Sequence, residues 1–195
     1  MNNANLQAIL FDMDGTLTVP HIDWKSLRAR VGVPEGAGIM EHIYGLPPDE
    51  ARRAEGIVRE TELEAAEAAV PNEGLAELFE GLDRLPLRRA LITNNHREAM
   101  ERVVAAFGLS FEVMLCREDG MLKPAPDLLW VALERLGVGA GEAVFVGDGR
   151  YDRMASEAAG VPYVHLDNHG DGEDGDGLVI YSLPELLPAL GVDAG

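Results

Sequence analysis

The chain has a single cysteine, only two lysines and no apolar run long enough to cross a membrane. With Cys116 alone, no intrachain disulfide can form, which fits a reducing compartment. Cys116 follows Val113-Met114-Leu115 and has no neighbour that would activate a thiolate, so it reads as core filler. The start, Met1-Asn2-Asn3-Ala4-Asn5, is polar without charged side chains, which is no secretory signal; the expectation is a soluble, cytoplasmic chain. Basic residues are scarce. Sixteen Lys and Arg stand against 34 Asp and Glu, a formal net charge of −18. That excludes nucleic acid and anionic membrane surfaces as expected partners, because both need a basic face. It also repels an anionic substrate at long range, so a phosphate site must rely on local cations, and each of Lys25 and Lys123 matters. His21, His165 and His169 form no metal-ligand pattern, and no internal repeat is present.

What is there suits one domain with an insertion: 195 residues, 47% of them hydrophobic. The chain is organised around Phe11-Asp12-Met13-Asp14-Gly15-Thr16-Leu17-Thr18. Leu6–Phe11 is an apolar run of strand length, broken by Gln7, and it ends at two acids one residue apart. Neighbours at i and i+2 share a strand face, so both carboxylates leave the sheet edge together. Such a pair persists only with a cation or proton between them. Gly15 lets the backbone turn sharply and approach a ligand. Three readings compete: a solvated acidic turn, a calcium loop, and an aspartate nucleophile with a second aspartate as acid/base. The calcium register needs glycine at its sixth position and finds Leu17, after a strand rather than a helix.

Residues 20–71 change character. Helices are predicted over Asp23–Val31, Ile39–Tyr44 and about Asp49–Ala69. The third has a thin stripe of Ala51, Ala54, Ile57/Val58, Thr61, Ala65 and Ala68; Arg52, Arg53, Arg59, Glu60, Glu62, Glu64 and Glu67 fall on its other, solvated face. From Asn72 onward strands and helices alternate. Strands are expected at Arg88–Ile92, Phe111–Cys116, Ala143–Val146, Val161–Leu166 and Leu178–Tyr181. Helices fall at Glu73–Leu82, His96–Phe107 with an Asn95/Glu98 capping box, Pro126–Leu136, Arg150–Ala159 and Pro184–Leu190, the last capped by Ser182 and Glu185. Asp167–Gly177, a run of glycine and acid, reads as a solvated loop. The alternation implies an α/β fold: a Rossmann-like parallel sheet with helices on both faces. The domain expectation is a core of 1–19 and 72–195 with an all-helical cap, 20–71, inserted after the first strand.

Ligands bind such sheets at the carboxyl ends of the strands. Asp12 and Asp14 end the first strand, Thr93 and Asn94 a second, and Asp148 a later one. Pro124 biases Lys123 to an extended loop just ahead of a helix. Each has a dull explanation singly; their joint placement on one edge does not.

The ordered set Asp12-x-Asp14-Gly15-Thr16, Thr93, Lys123-Pro124 and Gly147-Asp148-x-x-x-Asp152 resembles the haloacid dehalogenase superfamily of hydrolases, in its phosphatase branch. The helical block falls where relatives such as phosphoglycolate phosphatase carry a mobile cap, and is shorter. The resemblance implies a magnesium-dependent phosphatase acting on a small phosphorylated metabolite. Asp12 is implied as the nucleophile that becomes an aspartyl-phosphate, and Asp14 as the general acid/base. Asp12, Asp14 through its backbone carbonyl, and Asp148 are implied as magnesium ligands. Thr93, Asn94, Lys123, Gly15 and Thr16 would hold the phosphoryl group, with Asp152 supporting Lys123 or the metal's water shell. A free aspartate titrates near ~3.9, so Asp14 could serve as an acid only where the site raises it.

A dehalogenase would lack the Asp14 acid, and a phosphonatase needs a Schiff-base lysine in the cap, for which Lys25 alone is available. A sugar-phosphate mutase or other phosphotransferase keeps the same core residues and stays open, as does a non-catalytic phosphoryl-binding protein. A response-regulator receiver places its acceptor aspartate after the third strand, where this chain has Cys116. Arg52, Arg53, Glu41, His42 and Tyr44 are polar candidates for substrate specificity in the cap, and His96 in the core. Oligomeric state, monomer or dimer, is left open.

Overall fold

The computed structural model describes residues 5–20, 22–168 and 177–192. His21, His169 and most of the acidic loop read over 167–177 lie outside them, as do both chain ends of the expected core domain.

Six strands form one parallel sheet in the order β3-β2-β1-β4-β5-β6: β1 (Ala8–Phe11), β2 (Arg88–Ile92), β3 (Val113–Leu115), β4 (Ala143–Gly147), β5 (Tyr163–Leu166) and β6 (Leu178–Ile180). β1 is buried throughout, and its alternation feeds two cores. Ile9 and Phe11 point to one face, where α4 (Leu75–Leu82), α5 (Arg97–Phe107) and α8 (Leu186–Ala189) cover them. Ala8 and Leu10 point to the other, packed against α6 (Asp127–Leu136) and α7 (Arg150–Ala159). The expected α/β architecture with helices on both faces is therefore present. Because strand order reverses between β1 and β4, their carboxyl ends open a crevice.

Between β1 and α4 lie α1 (Trp24–Val31), α2 (Ile39–Tyr44) and α3 (Pro48–Glu67). Asp23 Oδ1 caps α1 by accepting from the Ser26 N–H at 2.9 Å. The three helices share a small core of Leu27, Ile43, Ala54 and Val58. The segments entering and leaving this block run side by side: Val19 N–H donates to the Val70 carbonyl and Asn72 N–H to the Leu17 carbonyl, each at 2.9 Å.

Three expectations need correction. On α3 the buried face carries Ala54, Val58, Glu62, Ala65 and Ala66, so Glu62 is inside and not on the solvated face. The expected stripe runs through Thr61 where the packed face runs through Glu62, because a helix with few apolar residues leaves its phase poorly determined. At α5 the capping box does not form. His96 is the N-cap residue and has no side-chain cap; Glu98 pairs instead with Arg59 and Arg102. Remote carboxylates take over: Glu62 accepts from the His96 N–H at 3.0 Å and Glu118 from the Arg97 N–H at 3.1 Å. At the C-terminus, a 3₁₀ turn at Leu183–Glu185 precedes the short α8, so the predicted single helix is divided.

Candidate active site

The crevice gathers its groups from four loops that are far apart in sequence. Asp12 follows β1 and is buried. Lys123 comes from the loop ahead of α6 and is equally buried; its ammonium donates to Asp12 Oδ1, to Asp152 Oδ1 at 2.6 Å and to the Ile92 carbonyl at 3.2 Å. It also lies 5.4 Å from the centre of the Phe145 ring. Thr16 Oγ1 donates to Asp12 Oδ2 at 3.3 Å, so both Asp12 oxygens are held.

Asp148 follows β4, and its carboxylate lies over Gly15. Gly15 has φ +82°, and a Cβ there would collide with that carboxylate. Glycine is required at 15 on both counts. A Cβ on Gly147 would sit 2.7 Å from Asp152 Cβ, which sets the close approach of α7 to β4. Asp152 also accepts from the Gly149 N–H at 3.1 Å, so one residue starts α7 and braces Lys123.

Asn94 makes a two-point clamp on the main chain of Lys123. Its Nδ2 donates to the Lys123 carbonyl and its Oδ1 accepts from the Lys123 N–H, both at 2.9 Å. Expected as a phosphate ligand, its amide is committed to placing the lysine. Thr93 is buried, and its Oγ1 accepts from the Asn95 N–H at 3.1 Å. Asp14 is half-buried at the same edge.

The charges here do not balance. Burial, then Asp152, pushes the Asp12 carboxyl well above the usual carboxylate range, with Lys123 opposing. Burial and Asp152 likewise push Asp148 up to about 7 against Lys123. Burial alone would pull the Lys123 ammonium down, but Asp12 and Asp152 outweigh it and hold it above the ordinary lysine range. Oxygens of Asp12, Asp148 and Asp152 lie within 4.8 Å of one another. An oxygen-only donor set with surplus negative charge suits a hard divalent cation.

Three side chains that the sequence did not single out complete the surroundings. Asn72, where the chain returns from the helical block, donates to the Gly15 carbonyl at 3.3 Å, the Thr16 carbonyl at 3.2 Å and Asn168 Oδ1 at 3.0 Å. Asn168 donates to the same Gly15 carbonyl at 2.6 Å. The third is Glu62, whose Oε2 lies 2.5 Å from His96 Nδ1 and 2.6 Å from an Arg117 nitrogen. His96 Nε2 is buried with no hydrogen-bond partner among the described residues. Of the specificity candidates, Arg52 pairs with its neighbour Asp49, Glu41 and Tyr44 are exposed, and His42 and Arg53 border a shallow surface groove with Arg30 and Glu50. Lys25 is exposed on α1, and Cys116 is buried with its thiol pushed up to about 12, chiefly by burial. No helix among the described residues is long and apolar enough to span a membrane.

A doubly covered parallel sheet with an acid-rich crevice at its switch point, braced by one buried lysine, defines an α/β protein with a candidate site for an anion and a divalent cation. Comparison with known proteins narrows it: the haloacid dehalogenase-like hydrolase family matches residues 21–166. The chain belongs to that family and is a hydrolase. It is 31% identical over 98% of its length to a haloacid dehalogenase-like hydrolase domain-containing protein of Arabidopsis thaliana, covering 81% of that protein. It is also 31% identical, over 95% of its length, to the phosphoglycolate phosphatase of Pseudomonas syringae pv. tomato, covering 80% of it. Among solved structures, a hydrolase from Pseudomonas syringae superposes with a TM-score of 0.78 at 21% identity, covering 95% of this chain and 98% of that one.

Proposed function

We propose that the protein is a magnesium-dependent phosphatase that hydrolyses a small phosphorylated metabolite through an aspartyl-phosphate on Asp12. The single observation that supports this most is the buried ammonium of Lys123 held between Asp12 and Asp152 and on the Ile92 carbonyl, at the carboxyl edge of the sheet. A buried lysine so braced fixes one nucleophile oxygen and offers charge to the oxygens of an incoming phosphoryl group. The phosphatase relatives support the substrate class.

Asp12 attacks phosphorus as the bond to the leaving oxygen breaks, and Asp14 gives that oxygen a proton. Asp14 then takes a proton from the water that attacks the aspartyl-phosphate, releasing inorganic phosphate and restoring Asp12. Thr16 keeps Asp12 oriented, and Asn94 and Asp152 keep Lys123 in place. Asp12, Asp148 and the Asp14 main-chain carbonyl would hold magnesium, which when bound neutralises charge on the phosphoryl oxygens. Residues 20–71 form the cap, which closes over the substrate and excludes water; its own small core and the paired entry and exit segments support that division. A lone buried thiol supports a reducing compartment, the cytoplasm.

The test is hydrolysis of p-nitrophenyl phosphate with magnesium and with EDTA, followed by a screen of phosphorylated metabolites that includes phosphoglycolate. Activity that survives EDTA removes the metal assignment. Phosphoryl transfer to a second sugar phosphate in place of water would make the enzyme a mutase.

A further inference from the structure

Glu62 is a carboxylate on a cap helix, 3% exposed, and it grips the core rather than its own block. The same oxygen, Oε2, accepts from the His96 main-chain N–H at 3.0 Å, lies 2.5 Å from His96 Nδ1 and meets Arg117 at 2.6 Å. Arg117 in turn reaches Met40 Sδ on α2 at 3.1 Å. Burying a carboxylate is costly unless donors surround it, and here three do. What those donors belong to matters. His96 closes the short loop Thr93–His96, whose other members are tied as well. Thr93 N–H donates to the Leu115 carbonyl at 3.0 Å, Asn95 N–H to Thr93 Oγ1 at 3.1 Å, and Arg117 N–H to the Asn95 carbonyl at 3.0 Å. Within that loop Asn94 clamps the main chain of Lys123 at both ends. A continuous set of bonds therefore runs from α3 of the cap to the lysine that braces Asp12.

We infer that Glu62 is a positioning residue through which docking of the cap orders the Thr93–His96 loop and, by way of Asn94, Lys123. Assembly of the phosphate cradle is thereby coupled to cap placement: with Glu62 withdrawn, the loop and the lysine lose one shared anchor. The inference rests on the phosphatase reading for its consequence in phosphate binding, but not for the coupling itself. Two side chains on one loop, His96 and Asn94, would transmit the effect in opposite directions, to the cap and to the site.

Removing Glu62 alone would strand Arg117 without its buried partner, so the test uses paired variants of the full chain. In E62M/R117M both charges go and the volume is kept. In E62Q/R117M the charges go too, but an amide oxygen remains to accept from His96 N–H. Amide hydrogen exchange, read by mass spectrometry without substrate or metal, should quicken about tenfold or more in E62M/R117M, both over 93–97 and at 122–123. E62Q/R117M should stay near wild type. Calorimetric binding of inorganic phosphate with magnesium should weaken about fivefold or more in E62M/R117M at a temperature where both variants are folded. The inference is overturned if 122–123 keeps wild-type protection while 93–97 loses it, or if E62Q/R117M exchanges as fast as E62M/R117M. Wild-type protein that binds no phosphate would defeat the phosphatase reading, while the exchange data would still decide the coupling.

Discussion

Two buried charge clusters lie near the sheet edge, and they are balanced differently. At Glu62 one carboxylate meets one guanidinium and an imidazole with its adjacent main-chain N–H. At Asp12 one ammonium serves two carboxylates directly, with Asp148 and Asp14 adding to the negative potential. In the first cluster the one carboxylate is matched by one guanidinium and further donors, which is what a structural joint requires. The second is short of positive charge, and evolution tolerates such a deficit where a cation or a reacting group completes it. Imbalance, more than burial or the number of charges, separates the proposed reactive place from the proposed joint.

The largest effect should come from taking Asp12, the proposed nucleophile, out of the unbalanced cluster. Asp12→Asn is expected to lower turnover of p-nitrophenyl phosphate by on the order of 10⁴-fold or more. Because it removes a charge the site holds in excess, thermal stability in metal-free buffer at pH 7.5 should not fall. Turnover near wild type would refute covalent catalysis on Asp12. A drop in Tm would refute the imbalance.

Next in size, Asp14→Asn should separate the half-reactions. Hydrolysis of an alkyl or sugar phosphate, whose leaving group needs a proton, should slow by about 10²- to 10⁴-fold. With p-nitrophenyl phosphate the first step should survive better, because p-nitrophenolate leaves without that proton. Rapid mixing should then show a burst of about one p-nitrophenol per enzyme, and acid-quenched mass spectrometry should show phosphate on the protein. A linear trace with no added mass, while substrate still binds, would leave Asp14 without the second step.

The balanced cluster should respond the opposite way. Arg117→Met leaves Glu62 buried without its guanidinium and is expected to cost about 3–5 kcal/mol in denaturant unfolding at neutral pH. Asp148→Asn, made in the unbalanced cluster, should leave stability equal or higher. If both variants lose the same amount, the contrast between the clusters fails.

The smallest effect is a pH dependence. A carboxyl whose folded pKa is raised binds more protons in the native state than in the unfolded one, so stability falls as pH rises between the two values. For Asp148, with an ordinary value of 3.8 and a folded value of about 7, that window runs from about pH 4 to about pH 7. Asp12 shifts in the same direction. Metal-free protein should therefore melt at a higher temperature near pH 5.5 than near pH 7.5. Magnesium should raise Tm at pH 7.5 and flatten the slope, as differential scanning fluorimetry can show; a slope unchanged by magnesium would count against the metal site.

Much of this was open to reading in the linear chain. β1 is a short apolar run that ends where Asp12 begins, Gly15 permits the sharp turn after it and Pro124 restricts the residue before it, so the elements carrying Asp12, Lys123 and Asp148 are local consequences of residue type and spacing. Alternation of strand and helix then leaves a parallel sheet as the arrangement that buries both kinds of apolar face. Tertiary structure alone decided the rest. Glu62 looks solvated on a helix with so weak a stripe, and only the approach of α5 and of the residues after β3, 34 and 55 positions away, makes it an inside residue. Asn72 and Asn168 look like loop amides until the fold brings each to the Gly15 carbonyl, from 57 and 153 positions away in the sequence. Spacing reveals which face of an element must be covered. What covers it depends on contacts between distant segments, and those exist only once the chain has folded.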